Sequence, residues 1–240
     1  MIKKIIRTAK ELIKLQRSIH QQSLENEWAN VYHDSIRGVD FIQKLPLNIG
    51  RWAGNYTFFY ILNRILKDVR PNSILEFGLG ESSKFISCYL DNLLINSDHK
   101  IIEHDVVWKE NFTEQFEISN NTEIQICELV QIDIKGNFVN SYSNIESVID
   151  KKYDLYLVDG PFGSKYFSRY DIVNIANNFD ENDEFIIIID DYNRFGEKQT
   201  SEDLIDLFIR KNIKIYKRVY SGNKSLMIFV TEKYKFLTSL

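Results

Sequence analysis

The stretch SILEFGLGESSKFI, residues 73–86, decides the fold predicted for this chain. Residues 73–77 are mostly apolar or β-branched, as in a buried strand, and they lead into a loop that contains Gly78 and Gly80. The residues after the loop have the pattern of a helix. Several nucleotide-binding α/β folds begin with a strand, a glycine-containing loop and a helix in this order. The stretch therefore predicts a ligand site at the loop.

Strands and helices alternate along most of the remaining chain. A helical pattern over residues 56–69 ends before Pro71. Further apolar strands, with helical stretches between them, are predicted at residues 100–104, 123–127, 153–159 and 184–190. Continuous apolar strands separated by helices indicate a parallel sheet covered on both faces. The predicted fold class is therefore α/β, with a doubly wound and mostly parallel sheet.

The two ends of the chain depart from this alternation. Residues 214–221 and 224–231 are joined through Gly222 and Asn223, which predicts a hairpin whose last strand runs antiparallel. At the other end we predict helices, and we divide the chain into an N-terminal helical extension, residues 1–50, and a ligand-binding domain, residues 51–240.

The first 22 residues have apolar side chains at helical spacing and basic side chains on the remaining arc. A basic amphipathic helix of this kind suits an anionic membrane surface, a second subunit, or packing on the body of its own domain. Peripheral membrane binding, a homo-oligomer and simple packing are therefore the alternatives that this segment leaves open.

Composition and charge restrict the class of protein. With 44% hydrophobic residues and only three prolines, the chain is expected to be a soluble globular protein. Its formal net charge of −4 argues against nucleic acid as a partner, because phosphate backbones select basic surfaces. Cys88 and Cys127 are too few for a disulfide framework, and we find neither a secretory signal nor a membrane span. A cytoplasmic location is expected.

The glycine loop itself discriminates between cofactors. A phosphate-binding loop, GxxxxGK[ST], is excluded because Ser83 stands where its second glycine is needed. The same serine replaces the third glycine of the dinucleotide fingerprint GxGxxG and weakens that interpretation. Glu76 and Glu81 flank the glycines and would repel a pyrophosphate. S-adenosylmethionine, which carries an ammonium and a sulfonium but no phosphate, is the expected cofactor.

Several residues are predicted to bind this cofactor. Gly78 and Gly80 allow the backbone to approach it closely because neither has a Cβ atom. Ser82 or Ser83 is expected to start and cap the next helix, whose N-terminus favours the cofactor's carboxylate. Glu103, at the end of the second strand, is placed to accept hydrogen bonds from the ribose hydroxyls.

The segment RWAGNYTFF, residues 51–59, precedes the helix that leads into the first strand. In folds of this kind such a segment can lie across the cofactor. Trp52, Asn55 and Tyr56 are therefore candidate cofactor contacts, with a place in the hydrophobic core as the alternative.

Together these motifs resemble those of class I S-adenosylmethionine-dependent methyltransferases. LEFGLGES, residues 75–82, resembles their first motif. IIEHD, residues 101–105, resembles the segment with their ribose-binding acid, and LYLVDGP, residues 155–161, resembles their fourth-strand motif. The resemblance covers residues 55–231 and implies a Rossmann-like sheet of seven strands, with Glu76 and Asp159 beside the cofactor. The chain departs from the family at Ser82, where many members carry a third glycine.

Acids follow two more of the predicted strands: Asp159, and the pair Asp190 and Asp191. The carboxyl ends of parallel strands meet in one crevice, and carboxylate oxygens suit Mg²⁺. The sequence IIIDDY, residues 187–192, is similar to metal-dependent sugar O-methyltransferases of the macrocin type. That similarity implies Mg²⁺ held by Asp159 with Asp190 or Asp191. Acids at strand ends also bind backbone amides, so a purely structural role is the alternative.

The resemblance implies O-methylation of a saccharide or another polyhydroxylated small molecule, with Asp159 and Asp191 in catalysis. In the loop of residues 160–171, Lys165 and Arg169 are expected to meet the substrate, Arg169 through a phosphate or carboxylate. Ordinary solvated charges are the alternative for that loop.

Two other functions stay open. An NAD-dependent sugar-nucleotide oxidoreductase would share the sheet and the glycine loop but lacks the third glycine and a YxxxK pair. A non-catalytic binding or scaffold protein would retain the methyltransferase fold without turnover.

Overall fold

The computed structural model describes residues 2–50 and 53–240. The helices are α1 (Ile2–Ser35), α2 (Asp40–Gln43), α3 (Tyr56–Arg64), α4 (Glu81–Asn92), α5 (Val106–Gln115), α6 (Ile145–Val148), α7 (Asp171–Ala176) and α8 (Phe195–Arg210). The strands are β1 (Ser73–Phe77), β2 (Asp98–Glu103), β3 (Thr122–Ile126), β4 (Leu129–Ile134), β5 (Asn137–Tyr142), β6 (Leu155–Val158), β7 (Ile186–Ile189), β8 (Tyr216–Ser221) and β9 (Ser225–Val230). A π-helical turn, Ile65–Val69, extends α3, and a 3₁₀ segment, Glu232–Ser239, follows β9.

Seven of the strands in the described ranges form one sheet, in the order β3-β2-β1-β6-β7-β9-β8. The first five run parallel, and β9 lies antiparallel to both β7 and β8. This confirms the predicted α/β fold with a mostly parallel sheet, an antiparallel last strand and preceding helices. The parallel arrangement brings the carboxyl ends of β1, β2, β6 and β7 to one edge.

The central strands are buried on both faces, because helices cover each side of the sheet. In β1, Ile74 packs into one hydrophobic cluster with Phe59 and Phe85, while Phe77 packs into another with Ile172. Each fully buried side chain of this size stabilises the fold by roughly 1.5 to 3 kcal/mol. This double burial explains why the parallel strands are continuous apolar runs rather than alternating ones.

A second, two-stranded sheet stands where the sequence analysis predicts helical stretches. β4 and β5 form an antiparallel hairpin, and its turn at Lys135 and Gly136 has positive φ at both residues, 53° and 79°. The Gly136 N–H donates a hydrogen bond to Asp133 Oδ1 at 2.7 Å. Along β5, Phe138 is exposed and Val139 is buried. A glycine turn between two alternating segments is the sequence pattern typical of such a hairpin, and the sequence analysis does not take it into account.

Helix α1 is longer than the 22 residues predicted for it, and its two halves differ. The side chains from residue 4 to residue 23 are exposed, whereas Tyr32, near the end of the helix, belongs to the same hydrophobic cluster as α3. That cluster contains side chains from both sides of residue 50, and the proposed domain boundary stays a prediction. None of the described helices combines the length and apolar character that crossing a membrane requires.

Candidate functional site

A cavity of about 1070 Å³ opens at the carboxyl edge of the sheet. Its walls come from the loops that follow β1, β2, β6 and β7, from β5, and from the turn between β8 and β9. The predicted site residues in its lining are Gly78, Gly80, Ser82, Glu103, Asp159, Lys165, Arg169 and Asp191. Segments far apart in sequence therefore contribute to one site, as the parallel topology predicts.

The loop after β1 is fixed by the carboxylate of Glu103. Gly78 has φ of +94°, a conformation that a residue with a Cβ atom rarely adopts. The next residue, Leu79, donates its N–H to Glu103 Oε2 at 3.0 Å, and the N–H groups of His104 and Asp105 donate to Oε1 at 2.6 and 2.8 Å. Glu103 is thus held at the cavity wall by three backbone donors. Its role toward a ribose stays a prediction.

Glu76 lies beneath the loop rather than in the cavity. Its side chain is fully buried, and it accepts hydrogen bonds from the hydroxyls of Ser82 and Ser83, the latter at 2.8 Å. His99 Nε2 lies 3.1 Å from the same carboxylate. Glu76 therefore anchors the first turn of α4, because its position in β1 directs it toward that helix.

The start of α4 also differs from the prediction. The helix begins at Glu81, one residue before Ser82, and the N-cap residue is Gly80, which has no capping side chain. Ser83 Oγ instead accepts the Gly80 N–H at 3.0 Å. Ser82 lines the cavity with its hydroxyl turned to Glu76.

Asn55 and Tyr56 do not line the cavity. Asn55 is the N-cap of α3, where its side chain accepts the Phe58 N–H at 3.2 Å and donates to Glu25 at 2.7 Å. The ring of Tyr56 packs against Tyr32 of α1, with centroids 5.8 Å apart. These contacts place both residues in the junction between α1 and α3. The candidate Trp52 lies outside the described residues.

Asp159, Asp190 and Asp191 meet at the edge of the sheet, as predicted. They each offer one oxygen, and these oxygens lie within 4.8 Å of one another. Asp190 is fully buried, Asp191 is 3% exposed, and the side chain of Asp159 is 29% exposed. Of these three acids, Asp159 and Asp191 line the cavity.

Cationic side chains are paired with this acidic cluster. Arg169 Nη2 lies 2.9 Å from Asp159 Oδ1 and 3.0 Å from Asp191 Oδ2. Lys224 Nζ lies 3.2 Å from Asp190 Oδ2 and 3.3 Å from Asp191 Oδ1. A third cation, Arg194, lies on the solvent side with Nη2 2.9 Å from Asp191 Oδ2. The cluster is therefore a mixed network in which acids and cations alternate.

The network separates the pKa values of its acids. Burial is the main cause that raises the pKa of Asp159, to about 7, and the neighbouring acids add to it against the pull of Arg169. Burial would also raise the pKa of Asp191, but Lys224, Arg169 and Arg194 outweigh it and hold that pKa below its usual value. Asp159 is thus the acid of this pair that can gain and lose a proton near neutral pH.

The donor set does not fit a divalent ion as it stands. The oxygens that would coordinate Mg²⁺ are hard ligands at suitable mutual distances, but they already face Arg169 and Lys224. An added ion would place two more positive charges in contact with both cations. Lys224 lies against two of the three acids and supplies positive charge to the cluster where the sequence analysis expects a metal.

Arg169 differs from the substrate-facing loop residue that the sequence analysis predicts. It is 4% exposed, has φ of +59°, and donates Nη1–H to the backbone oxygen of Asp190 at 3.0 Å. Its guanidinium is therefore engaged with Asp159, Asp191 and the backbone of Asp190 and is not free to bind a substrate phosphate. Lys165 does line the cavity, with Nζ 4.9 Å from the ring centroid of Tyr166.

Other lining residues are missed by the sequence analysis. Trp108 donates Nε1–H to the backbone oxygen of Leu79 at 2.7 Å, and Phe162 packs edge-on against His104 with centroids 4.6 Å apart. Tyr142 comes from the hairpin strand β5, which the sequence analysis does not predict. Lys224 could have been predicted from the sequence, because it directly follows the predicted hairpin turn at Gly222 and Asn223, on the edge of the sheet where the acids lie.

Comparison with solved structures shows a likeness of fold at low sequence identity. No family model matches the chain, and no curated protein matches it. The O-methyltransferase TomG from Streptomyces achromogenes, involved in tomaymycin synthesis and solved with S-adenosylmethionine, is 14% identical, with a TM-score of 0.53 over 85% of this chain and 89% of that one. An O-methyltransferase from Bacillus cereus in complex with S-adenosylhomocysteine is 11% identical, with a TM-score of 0.51 over 88% and 91%.

A third structure, the cofactor-bound protein Rv0187 from MTB, is 7% identical, with a TM-score of 0.50 over 85% and 89%. Sequence identities this low establish a likeness of fold alone. The chain has the class I S-adenosylmethionine-dependent methyltransferase fold.

Proposed function

We propose that this protein is an S-adenosylmethionine-dependent O-methyltransferase that acts on a hydroxyl of a saccharide or another polyhydroxylated small molecule. The observation that carries the proposal is one cavity whose wall contains both the glycine loop with Glu103 and the titratable Asp159. The likeness to O-methyltransferase structures supports the cofactor class. The similarity of residues 187–192 to macrocin-type enzymes supports the saccharide class.

The cofactor side of the cavity is formed by Gly80, Glu103, Trp108 and Phe162. A Cβ atom added to Gly80 would meet nothing within 4 Å, so this backbone faces open space that a ligand can fill. Glu103 offers a carboxylate for hydroxyl donors, and the two aromatic side chains offer apolar faces for a base. When bound here, S-adenosylmethionine supplies an activated methyl group. It brings no phosphate for Glu81 and Glu103 to repel.

Asp159 is the general base of the proposed reaction. Its carboxylate lines the cavity, is partly exposed and has a pKa raised to about 7, which suits proton transfer at neutral pH. The ion pair with Arg169, 2.9 Å from Nη2 to Asp159 Oδ1, helps to orient that carboxylate. Asp159 takes the proton of the acceptor hydroxyl as the oxygen gains its methyl group.

The acceptor side of the cavity is polar and mostly cationic. Lys165, Arg194 and Lys224 line it, and the Arg194 side chain is 46% exposed. Cationic donors of this kind hold the hydroxyl oxygens of a saccharide and any carboxylate or phosphate that it carries. Because Arg169 and Lys224 already balance the acids, the reaction is proposed to proceed without Mg²⁺.

Calorimetric titration with S-adenosylhomocysteine, with NAD⁺ as the control, tests the cofactor. Transfer of labelled methyl from S-adenosylmethionine to a panel of saccharides, with and without a chelator, then tests the reaction. We expect Asp159→Asn to lower turnover by about 10²- to 10⁴-fold with a much smaller change in cofactor affinity. Binding of NAD⁺ alone would favour the oxidoreductase, and cofactor binding without any turnover would favour a scaffold. Loss of activity with chelator would restore the metal hypothesis.

A further inference from the structure

The N-terminal arm, which we define as residues 4–23 of α1, has apolar side chains that nothing else in the described part of the chain buries. Ile5, Leu12 and Ile19 are each 60 to 62% exposed, and Ile6 and Ile13 are about half exposed. At 3.6 residues per turn these side chains share one face of the helix. The structure therefore contradicts simple packing on the body of the domain, one of the alternatives left open by the sequence.

The arm ends at a well-defined point of attachment. Glu25, two residues beyond it, accepts hydrogen bonds from Asn55 Nδ2, the Tyr56 N–H and the Asn223 N–H at 2.7 to 2.8 Å. One turn later Trp28 donates Nε1–H to the Ser221 backbone oxygen at 3.0 Å. Since α1 is continuous, the arm is a rigid extension of a helix whose second half is fixed to the domain.

The opposite face of the arm is strongly basic. Residues 1–23 contain six lysines and arginines and one acid, Glu11, whereas residues 24–240 contain 24 basic and 33 acidic residues. The basic side chains within the arm itself are Lys4, Arg7, Lys10, Lys14 and Arg17. The chain is therefore divided into a positively charged arm and a negatively charged body.

We propose that the arm binds the surface of an anionic membrane, with its apolar face inserted at the boundary between headgroups and acyl chains. The combination of an exposed apolar face and a basic polar face is that of interfacial helices. A second copy of this chain fits less well. Each of two paired arms would bring one acid and five basic residues to the contact. With Ile5, Leu12 and Ile19 at one core position of a heptad, the other core position holds Thr8, Leu15 and Gln22 in one frame and Ala9, Gln16 and Ser23 in the other, so neither frame gives a continuous apolar core.

Charge also separates the two parts of the bound protein. An anionic surface attracts the arm and repels the acidic body, so the body is held on the aqueous side. The methyl acceptor is not part of this inference, which is independent of the proposed function.

Co-sedimentation of the full chain with lipid vesicles tests the proposal. We expect binding to vesicles of equal parts phosphatidylcholine and phosphatidylglycerol, little binding to phosphatidylcholine alone, and release at high salt. The pair Ile6→Ser with Ile13→Ser should weaken binding by about tenfold or more, and the pair Lys10→Gln with Lys14→Gln by about tenfold.

Matched control variants lie elsewhere on the surface. Ile95 and Ile209 are 64% and 67% exposed, and their replacement by serine should leave vesicle binding unchanged. The exposed pair Lys217 and Arg218, replaced by glutamine, is the charge control. The proposal is overturned if the protein does not bind anionic vesicles, binds neutral ones equally, or is insensitive to the arm variants. It is also overturned if sedimentation velocity shows a dimer that the Ile6 and Ile13 variants dissociate.

Discussion

Lys224 shows how much a single residue depends on its buried partners. Its side chain is only 18% exposed and touches Asp190 and Asp191, of which Asp190 has a side chain that is 1% exposed. Carboxylates removed from water stay ionised only if nearby cations replace the lost hydration. Lys224 and the acids therefore stabilise the fold together. Removing Lys224 destabilises the fold, because the carboxylates stay buried without a cation that replaces their lost hydration.

We expect Lys224→Met to lower the free energy of unfolding by about 2 to 4 kcal/mol, since it leaves buried carboxylates without their cation. Adding Asp190→Asn should recover part of this loss because it removes one of those charges. Urea denaturation of the two single variants and the double variant measures the coupling. The control is Lys214→Met, which removes a solvent-exposed ion pair with Glu232 and should cost far less than Lys224→Met. Equal losses of unfolding free energy in Lys214→Met and Lys224→Met would contradict the stabilising role of Lys224.

The same variant gives a test of the metal argument at the residue level. If Lys224 occupies the place of a divalent ion, its removal should let Mg²⁺ or Mn²⁺ bind between the acids. We therefore expect added Mg²⁺ to raise the melting temperature of Lys224→Met and not that of the unmodified protein. Stabilisation of the unmodified protein by Mg²⁺ would show that Lys224 moves aside and that the metal site is real.

Two glycines at the cavity differ in what surrounds them. A Cβ atom at Gly160 would lie 2.9 Å from the Gly78 backbone nitrogen and 3.0 Å from the Phe77 carbonyl carbon, whereas one at Gly80 would meet nothing within 4 Å. Gly160→Ala should therefore lower stability by about 1 to 3 kcal/mol. Gly80→Ala should cost under about 1 kcal/mol but weaken S-adenosylhomocysteine binding, because its methyl enters the ligand space. Thermal unfolding and calorimetry of both variants separate the two effects, and intact binding by Gly80→Ala would place the ligand elsewhere.

At the scale of elements, the β4–β5 hairpin is held to the domain by one acid. Asp171, at the start of α7, accepts hydrogen bonds at Oδ1 from Ser141 Oγ at 2.6 Å and from the Tyr142 N–H at 3.1 Å. It is 1% exposed. Burial raises the pKa of Asp171 to about 6 despite these hydrogen bonds.

The raised pKa of Asp171 fixes the sign of a pH effect. The folded protein holds the proton more tightly than the unfolded chain, so the contribution is fully present below about pH 4 and is lost as pH rises through about 6. The stability difference between the unmodified protein and Asp171→Asn should therefore fall by up to roughly 3 kcal/mol between about pH 4 and pH 8. Urea titrations at several pH values measure this difference. A difference that is constant or grows with pH would contradict the prediction.

The same hairpin shows which elements can be predicted from sequence. β1, β6 and β7 are buried on both faces, and their continuous apolar residues make them evident without a structure. β4 and β5 are half exposed, so their alternating pattern is weak and competes with that of a helix. Helix α1 is predicted too short because its basic arm has a regular pattern, whereas residues 24–35 mix buried polar and aromatic side chains.

At the scale of the whole molecule, the positions of the site residues follow from topology, but their partners do not. Parallel strand order alone brings Asp159, Asp190 and Asp191 together, and the sequence analysis predicts this. The pairing of Arg169 with Asp191 and of Lys224 with Asp190 depends on side-chain packing between segments 22 and 34 residues apart. For the same reason Glu76, next to the loop in sequence, is turned away from the cavity into the start of α4.

Glu25 joins three distant parts of the chain and gives the prediction for the molecule as a whole. It links α1 to the start of α3 and to the β8–β9 turn, 30 and 198 residues away, and its side chain is buried. Glu25→Ala removes the acceptor of one buried and two partly buried hydrogen bonds, which should lower the free energy of unfolding by about 2 to 4 kcal/mol.

The matched control for this prediction is Glu11→Ala. Glu11 lies in the exposed arm of the same helix and has only a solvent-exposed contact of 3.7 Å with Arg7, so its loss should change stability by less than about 0.5 kcal/mol. Urea denaturation and S-adenosylhomocysteine titration of both variants give the comparison. If Glu25 fixes α1 to the domain, only Glu25→Ala should also weaken vesicle binding, because a loosely attached arm has to be ordered when it binds. Similar stabilities for the two variants would mean that the arm and the attached half of α1 are equally loosely held.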